Sequence, residues 1–457
     1  MKVAYVGGGS FRVIGVVREL LKRRDLAQGA AIALYDLDER RVRAMANLLR
    51  QVPEAEGLDL AVTTPARLDE ALDGADFVEV TCCPWHWEAH AASCRACHDH
   101  GWIGSDNLSP NGAYLALRGG PLVLDVARRL ERLSPGALLL VFTNPIAILT
   151  SVVHQGTSIR AVGICAGEMN HAYDLSRMMG FEPYRFDFDV EVAGVNHMSW
   201  LKAVRLDGRD FYPALDARLA RGLDYTWLET DPDAHWLRQH VEYTYERMVH
   251  FYRLSGAMLF SSEGDGLPHV TNYGEFVERS IRDDRRRAAE PAGASRRDGV
   301  EEFIRLASAD LPPEFWTDAA GPPWRGLRVP RLATSVRIIE GVRGGRPQPV
   351  TASYRNQDAI PGFGRDLVTE YTMRIGPDCI EPAGEYPHAL PPATAAATHG
   401  LVEFQALAAR AVVEQSRRTF EQALYAYPMC RDRRAVESFM KAMAEVNRDE
   451  LPAWLAT

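Results

Sequence analysis

Residues 2–10 read KVAYVGGGS. A short apolar run enters three glycines and a serine, and residues 13–24 then carry apolar side chains at helical spacing. Strand, glycine turn and helix in direct succession let a backbone approach a pyrophosphate, with helix N–H groups and the positive dipole end facing it. A second apolar run, residues 31–35, ends in Asp36. An acid there is placed to accept hydrogen bonds from adenosine ribose hydroxyls, which favours NAD over NADP. Arg12 stands where the third glycine of the usual fingerprint would be. Gly7, Gly8, Gly9, Ser10, Phe11 and Asp36 are the candidate cofactor-binding residues.

The alternation continues. Residues 60–64 (LAVTT), 75–81 (ADFVEVT) and 137–142 (ALLLVF) read as strands, with helices at 69–74 and 122–133. This is the α/β pattern of a Rossmann-type parallel sheet. Thr143-Asn144-Pro145 closes the last of these strands at the cofactor edge. Asn144 is placed to bind either the nicotinamide ribose or a sugar hydroxyl; an Asn-Pro turn that simply ends a strand is the plain structural alternative. Two further β-like runs, 161–164 and 190–195, are each followed by a metal-ligand type, Cys165 and His197. Thiolate and imidazole suit a divalent transition metal, and two ligands leave positions open for substrate. The competing reading is a buried cysteine and a hydrogen-bonded histidine.

After Asp207 the pattern loosens into a second, α+β domain. Helices are expected at 214–221, 235–254, 395–427 and 434–446, and strands at 334–341, 349–353 and 367–371. The expected division is residues 1–195, binding NAD, and 196–457, carrying substrate, metal and oligomer contacts. The loop at 255–276 gathers Asp265, His269 and Tyr273. Residues 82–100 hold a run of cysteines and histidines in which His86, His90, Cys94 and Cys97 would share a helix face. Four ligands along one helix form a line about 16 Å long and cannot surround an ion without a partner segment.

The 457 residues suffice for two cores. A net charge of −9 argues against a nucleic-acid partner. No apolar run reaches the roughly 20 residues of a membrane span, and the N-terminus lacks a signal peptide's apolar region. Seven cysteines, an odd and sparse number, fit reduced thiols and a cytoplasmic location.

These pieces together resemble the family 4 glycoside hydrolases, which depend on NAD and a divalent metal. The resemblance rests on VGGGS at 6–10, LYDLD at 34–38, the stretch 116–150 containing TNP, GICAGE at 163–168 and GVNHMSWL at 194–201. It extends to EYPHALPP and the late AYP, and so runs nearly end to end. It implies that Cys165 and His197 bind the metal, usually Mn²⁺, that Asn144 meets sugar and cofactor, and that Asn196 lies beside them. It further implies oxidation at sugar C3 by NAD, loss of the C2 proton and the C1 leaving group, water addition and re-reduction, outside the two-carboxylate rule. Asp265, then Tyr273, is the expected base, with His269 assisting or binding substrate. The residue after the metal cysteine is Ala166, so Glu168 is the nearest acid for the leaving group; a helix-dipole partner is its plain alternative. The family's Arg-Gly-Gly after the fourth strand is replaced by Cys-Cys-Pro. Arg95 and Arg118 are then candidates for an anionic sugar group, such as a uronide or sulfosugar, against ordinary solvated arginines. The resemblance also implies a homodimer or homotetramer. A metal-free 2-hydroxyacid dehydrogenase and a non-catalytic NAD-binding sensor are the competing readings.

Overall fold

The computed structural model describes residues 1–83, 87–223, 225, 234–260, 266, 269, 270, 301, 304, 305, 307, 333–430, 432–447 and 450–456. At 52–56, 87, 88, 168–170, 234–243, 433 and 456 the backbone alone is described. Six strands, β1 (Lys2–Val6), β2 (Ala30–Tyr35), β3 (Leu60–Thr63), β4 (Phe77–Val80), β5 (Leu138–Val141) and β6 (Arg160–Gly163), lie parallel in the order 3-2-1-4-5-6. This is the dinucleotide-binding order, with the crevice between β1 and β4. The strands are apolar because helices cover both faces of such a sheet; every residue of LLLV in β5 is buried.

The sheet does not stop at β6. Two antiparallel strands, β11 (Pro349–Arg355) and β12 (Val368–Ile375), join it to the hairpin β7 (Asp189–Val195) and β8 (Met198–Leu206). Three short strands complete it: β9 (Arg209–Asp210) and β10 (Met258–Leu259) on β8, and β13 (Ile380–Pro382) on β12. Chain from both expected domains therefore shares one hydrogen-bonded sheet. His197 lies in the β7–β8 turn, and Cys165 lies two residues beyond β6.

Two local expectations are corrected. Residues 334–341, expected as a strand from their β-branched content, form the helix Ala333–Gly344. Val336 and Ile339 are buried one turn apart, and the helix packs on Phe11–Leu21 and on β11 and β12, so tertiary packing overrides propensity. The helix expected to begin at Leu122 begins instead at Pro110, capped by Ser109, and continues through Pro121. Pro121 is exposed, and Gly120 beside it faces Val412, whose Cγ1 would stand 2.6 Å from an added Cβ. Among the described residues, no helix is long and apolar enough to cross a membrane.

Candidate active site

The glycine turn is rigid. Gly7 and Gly8 N–H both donate to Tyr35 O at 2.9 Å. Gly7 has φ +90°, and a Cβ there would meet Thr81 O at 2.5 Å. Gly9 N–H donates to Asp36 Oδ2 at 2.9 Å, and Asp38 N–H to Asp36 Oδ1 at 3.0 Å, so the acid after β2 braces the turn. Ser10 caps the helix Phe11–Leu21. Gly7, Ser10, Asp36 and Asn144 open on one cleft of about 720 Å³, whereas Phe11 packs against the core.

Beyond β6, Cys165 Sγ lies 3.7 Å from His197 Nε2 and accepts weakly from Gly167 N–H at 3.4 Å. Residues 32 apart in sequence thus meet as a soft and a borderline donor. His197 holds φ +69° as the second residue of the two-residue turn between Val195 and Met198, where tight hairpins use a left-handed residue. Neighbouring side chains fix that turn in place. Asn196 is buried and donates to Glu370 Oε2 at 2.8 Å, while Ser199 Oγ donates to Glu370 Oε1 at 2.7 Å. Burial raises the Glu370 carboxyl, and the Ser199 and Asn196 hydrogen bonds oppose the rise. Gly266 lies directly on the turn, where a Cβ would stand 2.1 Å from His197 O.

Sequence reasoning missed the residues that join these two places. Asp106 Oδ2 accepts from Asn144 Nδ2 at 2.7 Å, and Asp106 Oδ1 accepts from Asn107 Nδ2 at 2.9 Å. Asn107 Oδ1 accepts from Ile146 N–H at 3.2 Å, which sets the direction of that amide. Its Nδ2 therefore faces the His197 ring, 3.3 Å from Nε2 and 3.5 Å from Nδ1. The signal for Asp106 and Asn107 was the polar turn SDNLSPN at 105–111, just ahead of a long capped helix.

The other expected site residues divide. His269 is described at the second domain, with Nε2 3.1 Å from Tyr427 Oη. Asp265, Tyr273 and the Glu168 side chain lie outside the described residues. Asn196 lies in the same turn as His197, almost fully buried, with its Nδ2 donating to Glu370. Arg118 is placed away from the cleft: its guanidinium donates to Asn447 at 2.9 Å and pairs with Glu450, beside the C-terminal helices. Arg95 is exposed on the helix Trp87–Asp99 and does not line the cleft. In the Cys/His-rich segment, Cys94 Sγ lies 3.8 Å from His90 Nε2, and Asn111 Nδ2 donates to His90 Nδ1 at 3.1 Å. Cys97 is instead buried in the core, where desolvation pushes its thiol up to about 12. His86 lies outside the described residues. Among the described residues, no group of three or more His, Cys, Asp and Glu side chains is placed to hold a metal.

Comparison with known proteins bears on this geometry. The family 4 glycosyl hydrolase profile matches residues 2–181, and the family's C-terminal domain profile matches 192–430. Curated relatives include an alpha-galactosidase of Bacillus subtilis, 26% identical over 48% of this chain and 50% of that protein. An alpha-galacturonidase of Thermoanaerobacter italicus is 27% identical over 47% of this chain and 48% of its own length. The 6-phospho-alpha-glucosidase 1 of Lacticaseibacillus paracasei is 27% identical over 56% and 58%. The chain spans about half the length of the curated relatives it matches. Among solved structures, a 6-phospho-alpha-glucosidase from gut microorganisms, in complex with NAD and glucose-6-phosphate, superposes with a TM-score of 0.77 at 17% identity over 99% of both chains. The 6-phospho-beta-glucosidase of Thermotoga maritima with manganese, NAD⁺ and glucose-6-phosphate superposes with 0.75 at 17% identity over 99% of both. With both domain profiles matched in order, this chain belongs to the family 4 glycosyl hydrolases.

Proposed function

We propose that the protein is an NAD- and divalent-metal-dependent glycosidase that cleaves a terminal glycoside by transient redox chemistry. The observation that carries this reading is the Asp106 carboxylate. One of its oxygens holds Asn144 at the cofactor edge, and the other holds Asn107, which faces His197 beside Cys165. Relatives with that activity in their names, and solved relatives named with NAD and manganese, support it.

The residues fit both groups. Gly7 and Gly9 let the turn pack against Thr81 and Arg41 where a side chain would collide, and Gly7, Ser10 and Asp36 line the cleft; Cys165 and His197 offer a thiol and an imidazole to one ion. When bound, the nicotinamide would supply hydride acceptance and return at sugar C3, and the cation would polarise the oxygens on C2 and C3. The chain does the rest. Asn144 and Asp106 orient the ring by its hydroxyls. Asp265, one residue before Gly266, is assigned to remove the C2 proton, with Tyr273 as second candidate and His269 in support. Gly266 packs on His197 O, which supports that assignment. Glu168 is assigned to protonate the departing C1 oxygen.

An α-linked sugar with an anionic C6 is the proposed substrate class, supported by the names alpha-galacturonidase and 6-phospho-alpha-glucosidase among the relatives. The division at residues 195 and 196, a homodimer or homotetramer, and a cytoplasmic location complete the proposal. All seven cysteines are free, as a reducing compartment would keep them. The test is a panel of nitrophenyl α- and β-glycosides bearing neutral, 6-phospho, uronic and 6-sulfo sugars, with and without NAD⁺ and Mn²⁺. Release that needs both, without accumulation of NADH, is expected. NADH accumulation without aglycone release would overturn the proposal in favour of a dehydrogenase.

A further inference from the structure

Arg12 replaces the glycine that normally lets the first helix pack on the sheet, and its side chain lines the cofactor cleft. The guanidinium is held rigidly. Its Nη1 donates to Phe142 O at 2.7 Å, and its plane centre lies 4.3 Å over the Phe142 ring. That uses one of five N–H donors. No acceptor among the described residues takes the others; the buried Glu79 carboxyl feels the Arg12 charge, but no carboxylate stands at ion-pair distance. The acids of the same cleft are engaged elsewhere. Asp36 accepts from Gly9 and Asp38 N–H, Asp38 from Arg40 N–H, Asp106 from Asn144 and Asn107, and Asp125 from Arg129. A half-buried cation, fixed by a carbonyl and an aromatic face with its fork open to a cleft, is built to meet an oxyanion.

We propose that Arg12 is an oxyanion-binding subsite of this cleft, taking phosphate or carboxylate oxygens of the bound ligand. Two sources share that chemistry: the pyrophosphate of the dinucleotide, and the anionic group of the sugar. The second rests on the glycosidase reading, and the first does not.

Calorimetric titration of the full-length protein and its R12M and R12K variants with NADH, ADP-ribose and adenosine tests the first source. KM values for a nitrophenyl α-galacturonide and the matching neutral galactoside test the second. If the pyrophosphate is the ligand, R12M weakens NADH and ADP-ribose by about 10- to 30-fold and leaves adenosine unchanged. If the sugar is the ligand, NADH binding is unchanged and KM rises about tenfold for the uronide alone. R12K keeps a charge and a donor for Phe142 O but loses the fork. It is expected to be about three- to tenfold weaker toward the same ligand, and it decides the matter if R12M does not fold. Variants that match wild type on all ligands, or that lose adenosine and ADP-ribose equally, overturn the proposal. Wild-type protein that binds NADH but releases no aglycone refutes the glycosidase reading and leaves Arg12 to the calorimetry.

Discussion

The two ends of the site are built differently. The cofactor end comes from consecutive chain: one glycine turn, its strand, its helix, and an acid 27 residues past Gly9 that hydrogen-bonds back to it. The proposed metal end comes from distant chain: Cys165 after a parallel strand, His197 in an antiparallel hairpin, and Glu370 from a third strand beneath it. Local assembly makes the first tolerant of change elsewhere. The second depends on several long-range contacts at once. Asp106 and Asn107 tie the two ends together, and variants can be chosen to strike one end, the other, or the tie.

The largest expected effect is at the metal end. H197A or C165A should lower aglycone release by about 10³-fold while NADH affinity stays within about twofold. A parallel loss of NADH binding, read by calorimetry, would show that the ends are not separable.

The next is a pH effect in the cofactor half. Glu79 is buried in β4, accepts from Ser335 Oγ at 2.9 Å, and is pushed up to about 7, chiefly by desolvation. Its folded pKa lies above the unfolded value of roughly 4.3, so its contribution is fully present below that value and is lost as pH rises through 7. Relative to E79Q, the wild type should lose on the order of 3 kcal/mol of stability between pH 4 and 8. Urea titrations at both pH values check this; equal pH profiles would mean that Glu79 is ionised in the fold.

Striking the tie should cost less. D106N cannot accept from both Asn144 and Asn107 with its amide nitrogen, so kcat should fall about 10²-fold with NADH and Mn²⁺ affinities little changed. Smallest is S10A, which removes the cap of the first helix and should cost about 1 kcal/mol of stability.

What the sequence revealed follows the same division. The parallel half was legible because its signals are contiguous: KVAYVGGGS, the acid at 36 and the strand before Asn144 each announce themselves locally. Cys165 and His197 were legible as ligand types at strand ends, and the structure brings their side chains to 3.7 Å. Asp106 was not, because its meaning lies in an amide 38 residues away and, through Asn107, in an imidazole 90 residues from that neighbour. Asn196 was legible only by adjacency to His197; its bond to Glu370, 174 residues away, carries no local signal. Residues 333–344 looked like strand because β-branched content is a local signal, whereas their helix is imposed by packing.

The central claim is that a base removes the C2 proton of the sugar before the glycosidic bond breaks. Hydrolysis in D₂O, with NAD⁺ and Mn²⁺ present and the released sugar read by NMR, tests it most directly. One deuterium at C2 is the predicted result. Aglycone release with C2 still carrying its original proton would mean direct displacement at C1 and would contradict the account.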